Sequence, residues 1–164
     1  MLVRVQSTAP PNLSPYPVTD EQYLQRAIEL AREAERSGDV PIGAILVIDG
    51  VDFEARNEKE LRPDPTAHAE MLALRAAAQG RGRWRLSGAT LYVTKEPCVM
   101  CAGAMVAARI DRLVFGCNDP KGGAAGSVLD VLGRGDLNHR VAVTGGVLAE
   151  ATAGQLREFF ARRR

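Results

Sequence analysis

Apolar residues first recur at helical spacing in Tyr23, Leu24, Ala27, Ile28 and Ala31, and Gly38 stops the run. Thr19 and Gln22 have the spacing of a capping box, so a first helix is predicted from that point. The period then changes. Residues 42–48 form a nearly unbroken apolar, β-branched run, and Asp49-Gly50 is a hairpin signal leading to a second strand over 51–55. Pro63 and Pro65 stiffen the next loop, after which Thr66 is placed to cap a helix over 67–79. A third strand is predicted over 89–94, a helix over 98–109 and a fourth strand over 112–116, the last three forming a right-handed crossover. A Gly- and Lys-containing loop over 119–127, a helical turn over 128–132, a strand over 141–144 and a helix over 146–163 complete the pattern. Strands and helices alternate, which is the α/β class.

Composition narrows this picture. At 164 residues the chain suits one compact domain, predicted over 19–164. Residues 1–18 hold Pro10, Pro11, Pro15 and Pro17 and no apolar core of signal-peptide length, so they are predicted to be a flexible arm. No apolar run approaches the roughly 20 residues of a membrane span, and a soluble protein is expected. Cys98, Cys101 and Cys117 are too few, and odd in number, for a disulfide framework; a reducing cytoplasm is the expected compartment. The formal net charge is only +1, so any nucleic-acid contact must come from local clusters of Lys and Arg.

The chemistry-bearing residues are His68, Glu70, Cys98 and Cys101. Cys98 and Cys101 are three apart at a helix start, where both sulfurs share a face and the unpaired N–H groups favour thiolate. With His68 they make three ligands, the number a catalytic zinc uses when its fourth position is kept for water. Glu70 is near enough to exchange protons with that water without being a ligand. Each feature alone has an ordinary explanation. A Cys-x-x-Cys pair is also a structural zinc site, a redox pair or an accident, and a His or Glu at a helix start is often a cap or a dipole partner. Their conjunction points to hydrolytic removal of an amino group from a nitrogen heterocycle. Cys117 and His139 have no partner spacing and are read as a buried thiol and a loop imidazole.

His68-Ala69-Glu70 with Pro97-Cys98-Val99-Met100-Cys101 is the zinc deaminase signature. Beyond it, Val40-Pro41-Ile42-Gly43-Ala44, Leu91-Tyr92-Val93-Thr94, Cys101-Ala102-Gly103-Ala104-Met105, Asp119-Pro120-Lys121-Gly122-Gly123 and Leu137-Asn138-His139-Arg140 resemble the bacterial tRNA-specific adenosine deaminases. The resemblance covers nearly all the chain from the first helix onward. It implies a cytidine-deaminase-like three-layer α/β/α sandwich around a five-stranded mixed sheet, a homodimer, and conversion of the wobble adenosine of a tRNA anticodon to inosine. It further implies one zinc ion per subunit on His68, Cys98 and Cys101, with Glu70 as proton shuttle. Asn57 matches the family's base-contacting asparagine, and Asp119, Lys121, Phe159 and Phe160 are implied contacts to the anticodon stem-loop. Lys95 departs from the family, which usually has leucine there. Two other functions fit the same residues: deamination of a free base or nucleoside such as guanine or cytosine, and a non-catalytic, zinc-stabilised RNA-binding domain.

Overall fold

A computed structural model describes residues 17–163; all but the last two residues of the predicted Pro-rich arm lie outside the described residues. The elements in order are α1 (Asp20–Arg36), β1 (Gly43–Ile48), β2 (Val51–Arg56), α2 (Ala69–Arg81), β3 (Thr90–Lys95), α3 (Val99–Ala108), β4 (Arg112–Cys117), β5 (Ala142–Thr144) and α4 (Ala149–Ala161). They build an α/β fold on one mixed five-stranded sheet of order β2-β1-β3-β4-β5. β1 is antiparallel to β2 and to β3, whereas β3, β4 and β5 run parallel.

The apolar run over 42–48 is unbroken because β1 is covered on both faces. Ala44, Leu46 and Ile48 join Leu91, Val93, Leu113 and Phe115 in a core cluster with residues of α2 and α3. The alternate residues Ile45, Tyr92 and Val114 pack on Leu24 and Ala27 of α1. The capping box starts α1 as its spacing predicts: Gln22 N–H donates to Thr19 Oγ1 at 3.2 Å and Thr19 N–H to Gln22 Oε1 at 2.8 Å. α1 lies so close to β1 that a Cβ on Gly43 would overlap the carbonyl oxygen of Ala27. Gly43→Ala is therefore expected to destabilise the protein by roughly 1–3 kcal/mol, read from the urea midpoint at unchanged m-value; an unmoved midpoint would show that α1 can shift away freely.

Three local expectations are corrected. α2 begins at Ala69 with His68 at the cap position, so Thr66, two residues upstream, does not cap it; its N–H and hydroxyl donate instead to Asp64 Oδ1, at 2.8 and 2.7 Å. There is no helix over 128–132. The N–H groups of Val128 and Leu129 both turn back to Gly123 O, and Val131 N–H goes to Ala124 O at 3.0 Å, so the segment folds onto the preceding loop. An isolated bridge between Ala125 and Asp130 fixes that arrangement. α4 begins at Ala149, because Gly146 and Leu148 hold positive φ of 83° and 54°, which a helix cannot continue through.

The strand registers gather the chemistry at one end of the sheet. Arg56 pairs with Gly43 and Ala44 with Val93, so Asn57, just past β2, lies at the end where β3 leads into Glu96-Pro97-Cys98.

Candidate active site

His68 and Cys98 are the residues immediately before α2 and α3, both in extended conformation and neither capping its helix through its side chain. This leaves the imidazole and the thiol free at two helix mouths, where unpaired N–H groups favour a thiolate. Cys101 sits in the first turn of α3 and is buried. His68 Nδ1 lies 3.7 Å from Cys98 Sγ and 3.5 Å from Cys101 Sγ, and the three atoms are all within 4.8 Å of one another. Ordinary Zn–N and Zn–S bond lengths at a tetrahedral angle put a nitrogen and a sulfur ligand about 3.6 Å apart. The donor set fits zinc in identity and spacing, with one position left for a non-protein ligand.

The electrostatics are those of a charge-bearing cluster. Hydrogen bonding from Cys101, and then from His68, holds the Cys98 thiol low, at about 3. The same bond to Cys98, with burial, pushes the Cys101 thiol up. The His68 imidazole is raised, first by its hydrogen bond to Cys98 and also by the Glu70 charge. Glu70 is 3% exposed, and its Oε2 is buried without a hydrogen-bond partner. Burial pushes its carboxyl above the usual range, against a smaller opposing effect of His68. A carboxyl buried with one oxygen unsatisfied is costly for stability alone and suits a group that passes protons to a ligand.

Asn57 is buried, and Ala69 N–H donates to its Oδ1 at 2.9 Å, so an asparagine 12 residues away caps α2. Because Ala69 N–H can only donate, Oδ1 is fixed as the acceptor end, and Nδ2 is the end left to donate to a ligand. Sequence reading missed Glu96 altogether. Its buried carboxylate accepts the N–H groups of Asp119 (2.9 Å), Ala125 (3.1 Å) and Ser127 (3.0 Å) and the Ser127 hydroxyl. Burial alone would raise its pKa, but these bonds outweigh it and hold the carboxyl below the usual range. Gly123 passes so close that a Cβ would overlap the Glu96 carboxylate, and Ala124 N–H donates to Pro97 O at 2.8 Å. The loop at 118–127 is thus bonded to the segment that carries Cys98. A charge closing an otherwise buried strand was the available signal.

Sequence and structure comparisons agree with this geometry. A family profile described as MafB19-like deaminase matches residues 18–164. The tRNA-specific adenosine deaminase of Bacillus subtilis is 49% identical over 142 residues, which cover 86% of this chain and 88% of that protein. The chain belongs to the tRNA-specific adenosine deaminase family. A solved structure from work on A-to-I editing by tRNA:A34 deaminases at the wobble position superposes with a TM-score of 0.78 at 42% identity, covering 82% of this chain and 98% of the other. The guanine deaminase of Nitrosomonas europaea shares the fold with a TM-score of 0.77 at 25% identity, over 94% of both chains.

Within this member of the tRNA-specific adenosine deaminase family, the outer residues predicted from sequence are divided by the structure. A cleft of about 980 Å³ lies between the loop at 118–121 and α4, lined among others by Lys95, Asp119, Lys121, Arg157, Phe160 and Arg163. Phe160 is 50% exposed and faces it, while Phe159 is 4% exposed, with the Arg163 guanidinium 4.1 Å above its ring. Phe159 packs inside the fold, and of the two rings it is Phe160 that reaches the cleft. The spacing held the clue: Thr152 and Phe159, seven apart, are the buried residues of α4. Cys117 and His139 stand apart from the group that could hold a metal. The Cys117 N–H donates to Thr152 Oγ1 at 2.9 Å, and His139 Nε2 lies 2.7 Å from Ile110 O.

Proposed function

We propose that this protein hydrolyses the 6-amino group of the wobble adenosine in a tRNA anticodon, leaving inosine and releasing ammonia. The observation that carries the chemistry is the buried, unpartnered Glu70 Oε2 beside three side chains spaced for zinc. His68, Cys98 and Cys101 would hold the ion, which when bound supplies a Lewis acid able to lower a water pKa toward ~7. Glu70 accepts one proton from the attacking water and delivers it to the purine ring nitrogen beside C6 as the oxygen adds. It then takes the remaining proton from the C6 hydroxyl and passes it to the amine as the C6–N bond breaks and the carbonyl of inosine forms, so one residue handles both transfers. Asn57 Nδ2 donates to a ring nitrogen of the base, held in orientation by the Ala69 N–H on its other end.

The adenosine reaches this site flipped out of the anticodon loop, with the flanking nucleotides in the cleft beside α4. Lys121, Arg157 and Arg163 there suit phosphate, and exposed Phe160 suits stacking against a base. The active unit is a homodimer in the cytoplasm, with exposed Val99, Val128 and Leu129 available for subunit contact and the free thiols suited to a reducing compartment. No helix among the described residues is long and apolar enough to cross a membrane.

A second activity, deamination of a free purine base, is supported by the likeness to the Nitrosomonas europaea guanine deaminase. The cation-lined cleft favours RNA, because a free base leaves it unused. Ammonia release from an anticodon stem-loop with a wobble adenosine, compared with free adenosine, guanine and cytosine, separates the two. Turnover confined to the stem-loop is expected. Turnover of a free base or nucleoside with an inert stem-loop would reverse the substrate assignment.

A further inference from the structure

Where β3 leads into the metal-binding segment, Lys95 Nζ lies 2.9 Å from Asp119 Oδ2, and both residues line the cleft. Asp119 has little left to offer a ligand. Its Oδ1 accepts Lys121 N–H at 3.0 Å and its N–H donates to Glu96 at 2.9 Å. Its carbonyl accepts Gly123 N–H at 2.9 Å, and the side chain is only 17% exposed. These bonds and the Lys95 pair engage every polar group of Asp119 within the protein. Sequence reading placed an RNA contact at this residue; its geometry makes it a counter-ion.

Lys95 is differently placed. An ammonium has three N–H donors, Asp119 engages one face of it, and the side chain remains 27% exposed. Part-exposed ion pairs hold weakly, so Lys95 can share or exchange its carboxylate for another anion without disrupting the fold. Four cations against one carboxylate line the cleft, which selects a polyanion. Lys121, Arg157 and Arg163 come from its loop and helix walls, whereas Lys95 is only three residues from Cys98, at most about 11 Å of chain.

We infer that Lys95 is a substrate-contacting residue whose ammonium, held at the cleft by Asp119, binds the backbone phosphate adjoining the nucleotide being deaminated. This role rests on the tRNA substrate proposed above. It assigns Lys95 a share in RNA affinity, whereas a purely structural Lys95 would only tie down the loop at 118–121.

The test is the dissociation constant of a wobble-adenosine stem-loop across a KCl series, measured in the Glu70→Gln background so that no turnover consumes the ligand. Lys95→Met is expected to weaken binding about tenfold at low salt, the scale of one lost charge-assisted hydrogen bond. It should also make the log–log salt dependence shallower by about 0.7, the value for one single-strand phosphate contact. Lys95→Arg should restore both. Asp119→Asn keeps the cation and should keep the full salt slope. A Lys95→Met protein with the unchanged slope overturns the inference, as does an Asp119→Asn protein showing the same shallower slope as Lys95→Met. Lys95→Gln replaces Lys95→Met if the latter has a lowered thermal midpoint. Failure of the underlying substrate reading is seen separately, as absence of inosine in the stem-loop with the wild-type protein.

Discussion

Replacing Glu70 with glutamine is expected to slow deamination of a wobble-adenosine stem-loop by about 10²- to 10⁴-fold, the range ascribed to a positioned general acid–base. The size of the effect follows from the absence of a substitute. Among the described residues, the metal-capable group contains only His68, Cys98 and Cys101, all committed as ligands in the proposed mechanism. Glutamine fills the same space but can neither take up nor release a proton near neutral pH. It also removes a charge from a site where burial already disfavours ionisation, so the thermal midpoint should hold or rise. Zinc content should be unchanged, because the proposed mechanism leaves Glu70 off the metal. A Glu70→Gln protein with near-wild-type turnover would exclude the proton-transfer role. One that loses its zinc would make Glu70 a ligand.

Removing a ligand should act differently. Cys101→Ala takes away a buried sulfur 3.5 Å from His68 Nδ1 and leaves two donors, too few for a catalytic zinc. Zinc affinity should fall by more than about 100-fold, since losing even an outer partner of a ligand costs about 10- to 100-fold. The stripped wild-type protein should recover turnover when zinc is returned, and Cys101→Ala should not at the same concentration. Metal analysis after dialysis, alongside turnover, reads both. Cys117→Ala is the matched control: its thiol is buried too, but it lies outside the metal-capable group and should leave zinc content and rate near wild type. If Cys101→Ala keeps its zinc, the ligand set is wrong.

Much of this was legible in sequence where the determinants are local. The capping box at Thr19 works through residues three apart, and the unbroken run over 42–48 needs only a sheet covered on both faces to make sense. The Cys98 and Cys101 pair was legible because a helix start puts residues three apart on one face, whereas His68, 30 residues before Cys98, joined them through the conjunction of motifs and the family resemblance. Long-range bonds were not. Ala69 reaches back 12 residues to Asn57, across a loop with no periodic pattern to signal the bond, and Glu96 accepts bonds from residues 23, 29 and 31 positions later, beyond the reach of local spacing. Thr66 shows the reverse failure: a residue type suited to capping sits two positions upstream of the actual cap, in a turn organised by Asp64. The segment over 128–132 has helical spacing, but Gly123 and Ala124 offer its N–H groups acceptors outside any helix.

The most direct measurement of the central claim is to map inosine in a full-length tRNA transcript with a wobble adenosine, incubated with the zinc-loaded protein. A second transcript carries guanosine at the wobble position and adenosines elsewhere in the anticodon loop. Inosine at the wobble position of the first and nowhere in the second is the predicted result. Inosine at other loop adenosines, or none in either transcript, would contradict wobble-adenosine deamination as the activity of this protein.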